Sequence, residues 1–234
     1  MVTDGAAAAR ATRQVGRMCV ALGASFVVGC LESWAQGLLP AAFAPVSNSA
    51  SGWVLVTALL VFWARPRVTV AAIIGAASVV LLVVGYAIVS TGRGFPYSPV
   101  TWGAIGIVVG PFVGISASWL RHAGLRAALG GGVLAGIGFG DALYGLTTVS
   151  DTTGVTYWVG IGIVGVALFT YVLTRCVTGS SAATRAAIGT ASTGSESTGT
   201  QSTRTASTRT VSVLVLIGTT AVCALVLAGA LRLR

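Results

Sequence analysis

Gly130 to Leu146 reads GGGVLAGIGFGDALYGL, an apolar run that carries one acid, Asp141, and glycines at 132, 136 and 140. With its flanks, about 127–147, it is long enough to cross a bilayer, which takes roughly 20 apolar residues in a helix. A charged side chain at that depth costs ~2.5–3.5 kcal/mol on insertion scales. Packing or function has to offset that cost, which makes Asp141 the first candidate residue of the chain.

The rest of the composition agrees with a membrane setting. Of 234 residues, 55% are hydrophobic and only 8% are charged, and the mean hydropathy is +0.90. A soluble domain carries roughly 25% charged residues, so lipid is the main solvent here. The 14 basic residues are all arginine and set a net charge of +9. They stand at the ends of apolar runs, the arrangement that orients a membrane protein and not the continuous stripe that binds nucleic acid. Nucleic acid is therefore not an expected partner. Cys19, Cys30, Cys176 and Cys223 form no CxxC or other metal-ligand spacing, and they read as small hydrophobes. His122 lies among arginines and flanks the membrane, so neither a metal site nor a cofactor is expected.

Outward from the opening stretch, the pattern predicts an all-α polytopic bundle of about seven spans, with six in a core and one beyond a linker. Residues 1–17 form a basic cytoplasmic arm with Arg10, Arg13 and Arg17. The core, 18–175, holds spans at about 18–39, 46–64 (or from 52), 68–90, 100–120, 127–147 and 157–173. Ala42-Phe43-Ala44 resembles a signal-peptidase site, but the preceding run is long, contains Glu32 and Gln36, and would leave Pro45 after the cut. The first run is therefore read as retained. The second span is the shortest and enters from the uncharged loop around Ser47-Asn48-Ser49, with Ser49 or Ser51 as helix cap. Residues 176–210, rich in serine and threonine, read as a disordered linker. Thr203-Arg204 and Thr208-Arg209 within it would suit phosphorylation. Residues 211–234 supply the last span and a short tail.

The arginines set the orientation. With a cytoplasmic N-terminus, only Arg93, Arg232 and Arg234 fall outside, as the positive-inside rule favours. The expected location is a bacterial plasma membrane, and the first partner is the lipid bilayer.

Two acids lie within spans, Glu32 and Asp141, each fifteen residues after an inner arginine, Arg17 and Arg126. At ~1.5 Å per residue both carboxyls come ~22 Å from those arginines, in the outer half of the core. Helical spacing puts Ser25, Gly29 and Gln36 beside Glu32, and Gly138, Tyr144 and Gly145 beside Asp141, so both acids are expected to face the bundle interior. The sharper expectation is a polar binding site formed by Glu32, Asn48, Arg93 and Asp141. The plainer one is that the acids are protonated or hydrogen-bonded and only lock helices together. Gly106, Gly110 and Gly114, beside Pro111, and Gly132, Gly136 and Gly140 form stripes that let helix backbones approach. Trp34, Trp53, Trp102, Trp119, Trp158, Tyr97 and Tyr157 fall near span ends and read as interfacial anchors.

No catalytic constellation is visible. There is one histidine and no GxSxG elbow. Gly138-Phe139-Gly140-Asp141 spells the GxGD of intramembrane aspartyl proteases, but the partner aspartate on the preceding span is missing, so no shared-proton dyad can form.

From about Val15 to Arg175 the chain resembles a family of small uncharacterised actinobacterial integral membrane proteins, a domain of unknown function. The resemblance is carried by Leu38-Leu39-Pro40, Ser47-Asn48-Ser49 with Trp53, Gly110-Pro111 with Gly114, Trp119-Leu120-Arg121 and Gly140-Asp141-Ala142-Leu143-Tyr144. The resemblance implies the membrane class, with glutamate expected where Asp141 stands, and implies no activity; the linker and last span fall outside it. The functional expectation is a small-molecule or ion transporter, or a ligand-responsive protein, with a polar site in the outer half of the bundle. The alternative is a non-catalytic membrane subunit or scaffold that packs against partner helices or a second copy.

Overall fold

The structure is a computed structural model that describes residues 2–40, 42–191 and 210–225. Every regular element among the described residues is helical: α1 (Val2–Leu38), a 3-10 turn (Ala44–Asn48), α2 (Ala50–Ala64), α3 (Val68–Gly92), α4 (Val100–Trp119), α5 (Leu125–Tyr144), a π-helical turn (Gly145–Val149), α6 (Ser150–Thr153) and α7 (Thr156–Ala191). A further helix, α8 (Thr210–Leu225), follows. Five helical stretches are long and apolar enough to cross a membrane: Ala7–Leu38, Val68–Gly92, Val100–Trp119, Leu125–Thr153 and Thr156–Thr178. The molecule is an all-α helical bundle of membrane-protein type.

Two expected boundaries move. The N-terminal arm is not a separate segment but the first turns of α1. Its alanines, at 6–9 and 11, favour helix and no proline interrupts them. The expected linker likewise begins in helix, because α7 runs on to Ala191. A low content of large apolar residues removes a core but not helix propensity, and Ala182, Ala183, Ala186 and Ala187 supply it. Residues 192–209, with the two Thr-Arg pairs, and the tail from 226 lie outside the described residues.

The glycine stripes are where helices meet. A Cβ added at Gly114 would lie 2.0 Å from the Ala71 carbonyl oxygen, one at Gly110 would lie 2.5 Å from Ala76 Cα, and one at Gly106 would lie 2.7 Å from Val79 Cγ1. On the facing helix, a Cβ at Gly75 would lie 2.2 Å from the Gly110 carbonyl. The α3–α4 contact is thus backbone against backbone, which only glycine permits. Helix α5 sits at the centre in the same way. Gly130 faces Ser116 and Trp119 of α4, Gly131 faces Val172 of α7, and Gly132 and Gly136 face Thr219, Thr220 and Cys223 of α8. Gly140 is buried on the same helix. An apolar layer of Ala58, Val61, Ala71, Ile74, Val113, Ala117 and Leu134 ties α2, α3, α4 and α5 together.

The two ends of the bundle differ chemically. At one end Gln14 Nε2 donates to the Ala64 and Arg65 carbonyls. Arg121 donates to the Phe62 and Pro66 carbonyls, and Arg175 donates to the Leu120 carbonyl. This is the arginine end. Arg65 stops α2 in a left-handed conformation (φ 56°), and Pro66 follows it. The opposite end carries Glu32, Asp141 and the start of α2.

Candidate functional site

Helix α2 is only 15 residues long, ~22 Å at helical rise, and so starts inside the depth that its longer neighbours cross. Its first N–H groups therefore need partners that water would otherwise supply. Ser49 is the cap, its Oγ accepting from the Gly52 N–H at 3.1 Å. The other candidate cap, Ser51, is instead part of the first turn. Its N–H donates to Asp141 Oδ2 at 3.0 Å, and its hydroxyl donates to the same oxygen. The Tyr157 hydroxyl completes the network, 2.9 Å from Ser51 Oγ and 2.5 Å from Ser49 Oγ. Asp141 is 2% exposed. A carboxylate at a helix N-terminus also meets the positive end of the helix dipole. The side chain that looked most exceptional in the sequence is thus tied into holding a short helix in place.

Glu32 is placed differently. It is 7% exposed, and its Oε2 is buried without a hydrogen-bond partner among the described residues. The Trp53 indole N–H faces it, at a geometry that leaves Trp53 Nε1 without a completed bond as well. Gln36, one turn on, accepts from the Tyr86 hydroxyl at 2.5 Å. The surroundings are aromatic: Trp53 lies 5.4 Å from Trp102 and 6.3 Å from Tyr86, and Tyr86 lies 4.9 Å from Tyr97, between ring centroids. Trp53, Tyr157 and Trp158 are buried, at 4%, 7% and 4% exposure. These three expected interfacial anchors are interior groups, because neighbouring side chains meet them there. The Trp158 indole donates to Thr153 at 2.9 Å, and its ring fills the space that a Cβ at Gly145 would need.

Of the four expected site residues, Glu32, Asp141 and Arg93 have described side chains, and each makes its own contacts. Ser51 meets Asp141 and Trp53 faces Glu32. The two acids thus approach different side chains of the first turn of α2, two positions apart. Arg93 pairs with neither. Its Nη1 donates to the Ser33 carbonyl, and its guanidinium lies 4.7 Å from the Trp34 ring and 5.7 Å from that of Phe95. It thus closes the C-terminal turns of α1, where a cation suits the negative end of the helix dipole. Asn48 ends the 3-10 turn, and its side chain lies outside the described residues. Sequence reasoning missed Tyr157 and Trp53 as partners of the acids. The available signal was a hydroxyl pair, Ser49 and Ser51, opening an apolar helix too short to span.

Fold and site together define the class: an α-helical membrane protein with a short internal helix whose start is flanked by two acids. The chain belongs to DUF6518, a family of unknown function, whose model matches residues 8–201. That match extends past Arg175 and covers much of the Ser/Thr-rich segment that the sequence resemblance left out. No curated protein and no solved structure matches the chain.

Proposed function

We propose that the protein is a small transport or ligand-responsive membrane protein whose binding group is Glu32. One observation carries this reading: a buried carboxyl oxygen with no partner among the described residues, in a structure that bonds Oδ2 of the other intramembrane acid to Ser51. Buried polar groups are ordinarily paired, and an orphan points to a missing water, ion or ligand. A carboxyl facing Trp53 and Tyr86 suits a proton or a small cationic or donor-bearing ligand. Asp141, Ser51 and Tyr157 then form the frame that holds α2 against the site.

The test is accessibility. Glu32→Cys would be made in a version lacking Cys19, Cys30, Cys176 and Cys223, and treated with a membrane-impermeant thiol reagent in intact cells and in inverted vesicles. Leu31→Cys, at a lipid-facing position 58% exposed, is the control. Labelling at position 32 from one side only, with none at 31, supports a water-reached site. A folded, inserted protein that stays unlabelled from both sides removes the proposal and leaves Glu32 as a packing residue.

A further inference from the structure

A groove of about 320 Å³ runs between α2, α5 and α7. It begins at Ser51, passes Ala58, Gly138 and Val164, and ends at Phe62, Leu120 and Tyr171. The eleven helical steps from Ser51 to Phe62 give it a length of ~16 Å, about half of the ~30 Å hydrocarbon core and so the depth of one leaflet. Its walls are nearly all apolar, and Leu55, Leu59, Phe62 and Val164 are exposed at its edges, at 38–59%.

The end of this groove is charged. Arg121 lies 5.8 Å from the Phe62 ring centroid and donates to the Phe62 carbonyl at 2.8 Å. Arg175 lies 5.7 Å from the Tyr171 ring centroid and donates to the Leu120 carbonyl at 3.1 Å. Each aromatic ring that closes the groove therefore carries a guanidinium. The described bonds of Arg175 all start from Nη1, leaving Nη2 and Nε for another acceptor. The nearby Arg65 disfavours the Arg121 charge, and an anion at this point would offset that repulsion. The acids Glu32, Asp141 and Asp151 belong to the opposite end.

We propose that the groove binds one acyl chain of an anionic membrane phospholipid, with the lipid phosphate held by Arg121 and Arg175. An apolar slot one leaflet deep, with an arginine on each of the two aromatic rings at its end, matches both parts of such a molecule. Guanidinium groups recognise phosphate through paired hydrogen bonds, and basic pockets between membrane helices hold anionic head groups.

The full chain, reconstituted in vesicles of equal phosphatidylglycerol and phosphatidylcholine, would be extracted in mild detergent and its retained lipid measured by mass spectrometry. The expected result is about tenfold enrichment of phosphatidylglycerol, a preference worth ~1.4 kcal/mol. Arg121→Gln/Arg175→Gln should abolish the preference, and Val164→Trp, which fills the groove, should lower retention of both lipids. Should the double variant fail to insert, Arg175→Gln alone carries the test, since Arg175 is exposed. Inorganic phosphate at millimolar concentration should not displace the lipid. Retention in proportion to supply, displacement by free phosphate, or a polypeptide held at the groove would each overturn the proposal.

Discussion

Asp141 and Ser51, ninety positions apart in sequence, close the start of α2 together: one carboxylate oxygen accepts from both the backbone N–H and the hydroxyl of the serine. A hydrogen bond of this kind contributes about 0.5–1.5 kcal/mol, and an orphaned N–H costs about 1–3 kcal/mol. Asp141→Asn and Ser51→Ala should therefore each destabilise the fold and should not add. A double-mutant cycle read by thermal unfolding in micelles should show a coupling of about 1 kcal/mol. Strict additivity would separate the two residues energetically.

Tyr157 extends the same network to α7. Tyr157→Phe removes the hydroxyl that bonds Ser49 and Ser51 while keeping the ring against Trp158, 4.9 Å away. The expected loss is about 0.5–1.5 kcal/mol. The same cycle run against Ser51→Ala should show coupling, and its absence would detach Tyr157 from the cap.

Arg93 serves α1 and not the acids. Arg93→Gln should cost about 0.3–1 kcal/mol through the helix end. The charge swap Glu32→Arg/Arg93→Glu should give no rescue. Recovery of stability in the swapped protein would restore an ion pair to the account.

The interhelical glycines are not equivalent. A methyl at Gly114 would collide with the Ala71 carbonyl, whereas one at Gly138 would lie 3.8 Å from its nearest neighbours, Gly165 Cα and the Ile161 oxygen. Gly114→Ala should destabilise by about 1–3 kcal/mol or more. Gly138→Ala should stay within about 0.5 kcal/mol. Unfolding midpoints of the two variants compare them directly, and equal losses would contradict the close α3–α4 approach.

The membrane class, the helix order and the special standing of Glu32 and Asp141 were legible because each follows from local composition or helical period. Ser49 as a cap was legible for the same reason. Partnership was not. Whether Asp141 meets Tyr144, one turn away, or Ser51, on another helix, depends on how helices rotate about their axes, and small-residue stripes permit several rotations. Arg93 was legible as a charge near the acids, but not as a donor to the Ser33 carbonyl on α1, because nothing local in the sequence brings α3 against the end of α1. Trp53 and Trp158 looked interfacial by position along the chain, yet the bundle buries them.

The central claim is a division of labour, with Asp141 tied into the fold and Glu32 Oε2 left without a partner among the described residues. Thermal unfolding of Asp141→Asn and Glu32→Gln in the same micelles tests it most directly. Exchanging the carboxyl for an amide weakens the two bonds that Oδ2 accepts from Ser51, so Asp141→Asn should lose about 0.5–1.5 kcal/mol. Glu32→Gln should unfold at or above the wild-type midpoint, because its Oε2 has no bond to lose. Equal losses in the two variants would contradict the division and make both acids structural.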